Sequence, residues 1–489
     1  MTLSQHRPSH LKLALLGGLM LTLSACGGGG GGNANGLFMA FPTTPTTPTT
    51  PNTPAAPAAP ADQGTPGAPP APAASYKVGG TVSGLLGTGL VLQNNAGDDI
   101  AISADGSFVF PTKVADAAGY AVTVKTQPRI LTRECTVTNG SGTVAAAAVT
   151  AVAVVCAPPA ARFAYVVNES DSTVSAFSID QGTGELTSVG AAIASGTTAA
   201  PRAMAVHPLG KAAYVLGSSA SNMRQFSIDP ATGALTPMAT PVVTTGLGPE
   251  SIAVEPTGRF AYVVNKNSQQ LMTYSIDPVT AALTFEGAGT YGTGTAPTSV
   301  AIDALGRYIY IANSGSDTIS VFSIDSSTGL PGGNSFVSTL KPEFIAIDPS
   351  GKYLYATSAT SNTVTTFAIG LTGALTQIDG RSGAPASALT SMALSPNGQF
   401  AYATDLGGAG LQVFQVDGLT GLLGPAVSGT TLDSAPTSVV VAPQGKFAYI
   451  ANLGSNKVFA YRLDAMTGLP SSGTSQPTGV GPRAVVLSR

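Results

Sequence analysis

The heptapeptide RFAYVVN occurs twice, at 162–168 and 259–265, and KAAYVLG, RYIYIAN, KYLYATS, QFAYATD and KFAYIAN repeat its pattern. Their tyrosines, Tyr165, Tyr214, Tyr262, Tyr310, Tyr355, Tyr402 and Tyr449, stand 45 to 49 residues apart. A repeat of this length restricts the fold, because each unit is too small to bury its own apolar face and must stack on its neighbours. Around each tyrosine the same order recurs: a P-x-x-x-A-h-x-P-x-G run before it, a TVSAFSID-like run after it, then a D-x-x-T-G turn and ALT. Four short strands per unit at this period describe one blade of a β-propeller, and seven units describe seven blades.

The first unit lacks its opening strand, since Arg162 leads straight into the second. The missing piece matches the chain's last residues, GPRAVVLSR at 481–489, which resemble APRAMAVHP in the second unit. Arg483 to Ser488 is therefore expected beside Phe163 to Asn168, so that the C-terminal strand closes the ring and hides its free edges. The motifs YVVN and YIAN and the D-x-x-T-G turns resemble the YVTN repeats of the lactonase family, seven-bladed propellers that include bacterial 6-phosphogluconolactonase-like proteins. The resemblance covers 162–489 of a propeller region placed at 158–489.

Ahead of it, residues 76–157 read as a small all-β sandwich that resembles Ig-like or transthyretin-like modules. The runs KVGGTVSGL, GLVLQN, DIAISA, GSFVFPT, YAVTVKT, ECTVTN and VTAVAVVC alternate and are separated by Gly, Asn and Asp turns. Cys135 and Cys156 are expected to pair as a disulfide, because an exported chain with two remaining cysteines tends to join them.

Export is suggested by residues 1–25, where Arg7 and Lys12 precede an apolar run, Leu13 to Ala25, too short to span a bilayer. Leu23-Ser24-Ala25-Cys26 resembles a lipoprotein cleavage site. That resemblance implies acylation of Cys26, a membrane as partner and, with Gly27 following, an outer-membrane location in a bacterial cell envelope. Residues 26–75 form a Gly/Pro/Thr-rich linker, extended by its prolines. Only 10% of the chain is charged and the formal net charge is −3. No basic stripe is present, so nucleic acid is not expected as a partner. The chain is read as a monomer with no cofactor.

Chemistry is sparse. Asp180, Asp229, Asp277, Asp325, Asp417 and Asp464 open the recurrent turns and are expected to accept backbone N–H bonds there. His207 is the one histidine outside the N-terminal region. It falls at the bottom turn of an inner strand, where other units carry Glu255, Asp303, Asp348, Ser395 and Ala442. No Ser-His-Asp or Cys-His constellation and no His/Cys metal site can be assembled from this set. The position that follows the leading proline of each inner strand, or its equivalent Leu389 in blade six, faces the channel mouth, and it holds Arg483, Arg202, Glu250, Thr298, Glu343, Thr390 and Thr437 in blades one to seven. Glu169, from the loop after the first unit's second strand, returns to the same end. Arg202 and Arg483 are expected to hold an anionic group, with Glu250 and Glu343 as further ligand-binding residues and Glu169 as proton acceptor; Arg202 and Glu250 can equally pair with each other. The resemblance implies a PRH and an NE motif. PRA occurs at Arg202 and Arg483 and NE at Asn168-Glu169, while Ala203 and Ala484 stand in the histidine's place. Two readings stay open: a lipid-anchored propeller presenting a site for a protein, glycan or small anion, or a hydrolase of sugar or related lactones.

Overall fold

The structure is a computed structural model. It describes residues 73–489 apart from 131, 197–199, 219–220, 383–387, 408–409, 432, 434 and 472. The leader, Cys26 and nearly all of the linker lie outside the described residues.

Each of the seven alternating runs upstream contains a strand: Val78–Ser83, Leu90–Asn94, Asp98–Ile102, Gly106–Val109, Gly119–Thr126, Glu134–Thr138 and Val149–Ala157. With Ser141–Thr143 they make two four-stranded sheets. Val78, Phe108, Val152 and Val154 of one sheet and Leu90, Leu92, Ile102 and Val122 of the other share one core. Cys135 and Cys156 lie directly opposite each other on antiparallel strands of the first sheet and are joined by a disulfide.

From Phe163 onward the chain forms seven sheets, each with three strands in sequence order from the second strand outward and an inner strand ahead of them. Blade 3 is representative: Pro249–Val254, Phe260–Asn265, Gln270–Ile276 and Leu283–Gly292, all antiparallel. The remaining inner strands are Pro201–Val206, Pro297–Ile302, Phe344–Ile347, Leu389–Leu394 and Pro436–Val441 in blades 2, 4, 5, 6 and 7, and Pro482–Ser488 in blade 1. The last of these pairs with Phe163–Asn168, in register from Phe163↔Ser488 to Asn168↔Pro482. Each inner strand touches two others around a closed ring.

The second strands explain why their sequences look unlike surface strands. Phe163–Asn168, Ala212–Gly217, Phe260–Asn265, Phe400–Asp405 and Phe447–Asn452 are buried at every residue, as a strand covered on both faces must be. The recurrent tyrosine has a particular task there. Its hydroxyl donates to a backbone carbonyl in the turn of the next blade: Tyr165 to Gly233, Tyr214 to Ala281, Tyr262 to Gly329, Tyr310 to Gly373, Tyr355 to Gly421, Tyr402 to Gly468 and, across the closure, Tyr449 to Gly184, at 2.6–3.1 Å. A fully buried phenol needs such a partner. In five of the seven the acceptor is the glycine of a D-x-x-T-G turn, with Ala281 and Gly373 in its place in the other two, so the two most recurrent motifs of the sequence are the two halves of one inter-blade bond.

Candidate functional site

The inner strands deliver one side chain each to the channel mouth because each of six begins on a β-bulge. In blades 2, 3, 4, 6 and 7 the register shifts next to Arg202, Glu250, Thr298, Thr390 and Thr437, and in blade 1 next to Arg483. A bulge re-aims the extra residue. In blade 5 the strand starts two residues later, at Phe344. There the Glu343 N–H donates to Thr357 O at 2.8 Å, and Thr298 Oγ1 reaches Pro342 O at 3.4 Å. All seven positions line a single cavity of about 420 Å³, within the range of small-molecule sites.

Blades 1 to 3 supply a charged cluster. Arg202 Nη1 donates to Glu169 Oε1 at 2.9 Å, and its Nε and Nη2 both lie 3.0 Å from Glu250 Oε1. Burial depresses the Arg202 guanidinium, but Glu250 and Glu169 outweigh it and its pKa is raised. Arg483 is placed differently. Its Nε is 3.5 Å from Glu169 Oε2. Burial together with the neighbouring Arg202 lowers its pKa in spite of Glu169 and Glu250. Among the described residues its Nη groups donate to no protein acceptor. Arg202 is thus held between two carboxylates and fixes them, while Arg483 keeps donors for a ligand.

Across the cavity stands Glu343. Burial raises its carboxyl above the usual range, and Lys266 and Lys341 oppose that rise. Lys266 also lines the cavity and is absent from the sequence-level candidate set. It occupies in blade 3 the position that Glu169 occupies in blade 1, directly after the second strand, so carrying that one register through the repeat would have found it. Ser314 and Ala359 fill the same position in blades 4 and 5 and line the cavity too.

The two alanines at the motif's histidine position also face the cavity. In blades 3, 4, 6 and 7 that position holds Ser251, Ser299, Ser391 and Ser438, whose hydroxyls accept from the next inner strand's backbone at 3.3 Å, and in blade 5 it holds Phe344. Ala203 and Ala484 make no such tie and leave room beside the arginines.

His207 lies at the far end of its inner strand, as its register requires. It is buried, its Nδ1 accepts from Leu209 N at 3.1 Å and its Nε2 is 3.1 Å from Gly258 O. That pattern assigns the proton to Nε2, and burial holds the ring's pKa down. It is a turn residue. The hollow beside it, lined by Pro158, Pro208, Pro443 and Leu487, is mainly apolar.

A family model described as "Lactonase, 7-bladed beta-propeller" matches residues 130–247, 155–287, 190–335 and 333–489, together more than half of the chain. The chain belongs to this lactonase family. Solved structures agree on the fold. A Bacteroides uniformis protein provisionally named a 6-phosphogluconolactonase is 21% identical, with a TM-score of 0.59 over 66% of this chain and 99% of that one. Its Bacteroides fragilis counterpart is 20% identical, with a TM-score of 0.60 over 67% and 98%. The periplasmic gluconolactonase of Pseudomonas aeruginosa is 19% identical, with a TM-score of 0.57 over 67% and 99%. No curated protein matches the sequence. Within this lactonase propeller, charged side chains of blades 1, 2, 3 and 5 converge on the mouth cavity among the described residues.

Proposed function

We propose that the channel mouth hydrolyses a lactone, and that the substrate is uncharged. The observation that carries this reading is Arg483, a partly buried guanidinium with free donors lining a cavity of about 420 Å³ beside a pinned Glu169–Arg202–Glu250 cluster. Ester hydrolysis needs donors where the carbonyl oxygen becomes negative, and preorganised donors of that kind are the largest single contribution in many acyl-transfer sites. Arg202 is engaged by protein carboxylates and serves to hold them in place. Arg202, Arg483 and Lys266 balance Glu169, Glu250 and Glu343, which suits a neutral sugar lactone better than a phosphorylated one. Family membership and the names borne by the structural neighbours point the same way. The presentation reading rests on the N-terminal residues and on the alanines, Ala203 and Ala484, at the motif's histidine position.

The test is hydrolysis of D-glucono-1,5-lactone and of its 6-phosphate by the full chain in a pH-stat. The expected result is a rate above the buffer reaction that is higher for the neutral lactone, falling about 10²- to 10³-fold in Arg483→Met. Hydrolysis no faster than in buffer would discard the reading.

A further inference from the structure

Hydrolysis also requires a group to take a proton from water, and the NE motif nominates Glu169 for it. The geometry argues otherwise. Glu169 Oε1 accepts from Arg202, and Oε2 is the oxygen turned toward Arg483. Oε1 is held by one guanidinium and Oε2 faces a second at 3.5 Å, so a proton taken up by Glu169 would sit between two cations. Glu343 is the carboxylate on the cavity wall that has neither a hydrogen bond nor an ion pair among the described residues. Its backbone is fixed through Thr357 O. It belongs to blade 5 and Arg483 to blade 1, three steps apart in a ring of seven, which is as near to opposite as seven positions allow. A lactone with its carbonyl oxygen at Arg483 therefore presents its carbonyl carbon toward the Glu343 side.

Resting on the lactonase reading, we propose that Glu343 is the general base of the mouth and that Lys266 sets its working range. In the step, the Glu343 carboxylate takes a proton from a water whose oxygen bonds to the carbonyl carbon. The carbonyl π pair moves onto the oxygen facing Arg483. On collapse the double bond re-forms, the ring C–O bond breaks, and the proton held by Glu343 passes to the departing ring oxygen. Lactone and water become one hydroxy acid, and the enzyme is returned unchanged.

The charges that act on Glu343 are Lys266, on the loop of blade 3, and Lys341, two residues ahead of it in its own chain; Arg202, Glu250 and Arg483 line the far side of the same cavity. Burial raises the carboxyl, which places a base nearer to neutral pH than an exposed glutamate. Lys266 opposes the rise, so removing its charge moves the carboxyl further up.

The experiment uses the full chain and D-glucono-1,5-lactone. Glu343→Gln is expected to lose at least about 10²-fold in kcat with little change in KM, while its melting temperature at pH 7 is kept or raised, since it removes a charge that burial disfavours. Glu343→Ala is expected to regain part of its rate with added formate, which a merely structural role would not allow. Lys266→Met, in which Glu343 itself is intact, is expected to shift the acid limb of the kcat/KM profile to higher pH. Wild-type hydrolysis together with an active Glu343→Gln, or with an unmoved acid limb in Lys266→Met, would overturn this assignment and leave the Arg483 reading in place. A wild-type chain that hydrolyses no lactone overturns both.

Discussion

Six aspartates do the same small task around the propeller. In Asp180, Asp229, Asp277, Asp325, Asp417 and Asp464, Oδ1 accepts the backbone N–H groups two and three residues on, at 2.7–3.0 Å. These bonds favour the charged form, and each carboxyl is held below the ordinary aspartate value of 3.8 by its hydrogen bonds; for Asp325 the Ser327 hydroxyl leads, and for the others the backbone N–H three residues on. A carboxyl depressed in the folded state contributes stability that is complete above its unfolded value and disappears as pH falls through the folded one. The melting temperature is therefore expected to decline as pH drops below about 4, with the decline continuing well under the ordinary aspartate range. A thermal-unfolding series in acid checks this, and a flat curve there would show that the turns do not need their charge. Glu343 has the opposite sign, because a carboxyl raised by burial favours the fold when protonated. The turn aspartates were legible in the sequence because each is bonded to its own turn. Most mouth partnerships were not. The Arg202–Glu250 pair was readable from the shared register of adjacent blades, but that Glu169 joins it and Arg483 keeps free donors depends on where three blades point their side chains, and spacing along one chain carries no such information.

At the level of the blade, one contact shows the repeat correcting itself. In six turns the residue that accepts the tyrosine hydroxyl is a glycine with φ between 70° and 79°. A Cβ there would fall 2.2–2.5 Å from the aromatic ring that starts the neighbouring second strand: Gly184 against Phe447, Gly233 against Phe163, Gly329 against Phe260, Gly373 against Tyr308, Gly421 against Tyr353 and Gly468 against Phe400. The seventh turn carries Ala281 at φ 59°. The ring it would strike is missing as well, since Ala212 takes the aromatic position, and both alanines lie in one core cluster. Ala281→Gly alone is expected to gain no more than about 1 kcal/mol from relieved strain. Ala212→Phe alone is expected to cost about 1–3 kcal/mol by overpacking. The double variant should recover the arrangement of the other six interfaces, with a coupling of about 2 kcal/mol. Denaturant unfolding of the four proteins measures it, and additivity within about 0.5 kcal/mol would show that ring and glycine do not act as a pair. The blade itself was readable from alternation and turn residues, which are local. The reason for its tyrosine and its glycine was not, because both meet their partners one repeat away.

For the molecule as a whole, the question is what keeps seven blades in a ring instead of an open row. Six of the seven inter-blade tyrosine bonds join consecutive units and would survive in an open form; Tyr449 to Gly184 needs the ring closed. The rest of the closure comes from Pro482–Ser488. This strand pairs along all of Phe163–Asn168, and Arg162 N, Glu169 N and Ser170 N extend the ladder to Ser488 O, Gly481 O and Val480 O at 2.7–3.1 Å. Val485 is buried on one face of this strand within a core shared by blades 1 and 7, while Ala484 and Val486 pack on the other against blades 1 and 2. Deleting Gly481–Arg489 removes this ladder, uncovers the apolar second strand of blade 1 and takes Arg483 from the mouth. At roughly 1 kcal/mol per backbone bond, with the loss of buried aliphatic groups added, the cost is at least about 5 kcal/mol. That is comparable to the whole stability of many domains, so the truncated chain is expected to aggregate or to melt far below the intact one. Adding a synthetic peptide of residues 479–489 in trans should restore part of the lost melting temperature, because the vacated edge offers it the same register. A truncated chain that unfolds like the full one, or gains nothing from the peptide, would mean that the ring is held by the packing of its blades and that the last strand only fills a gap.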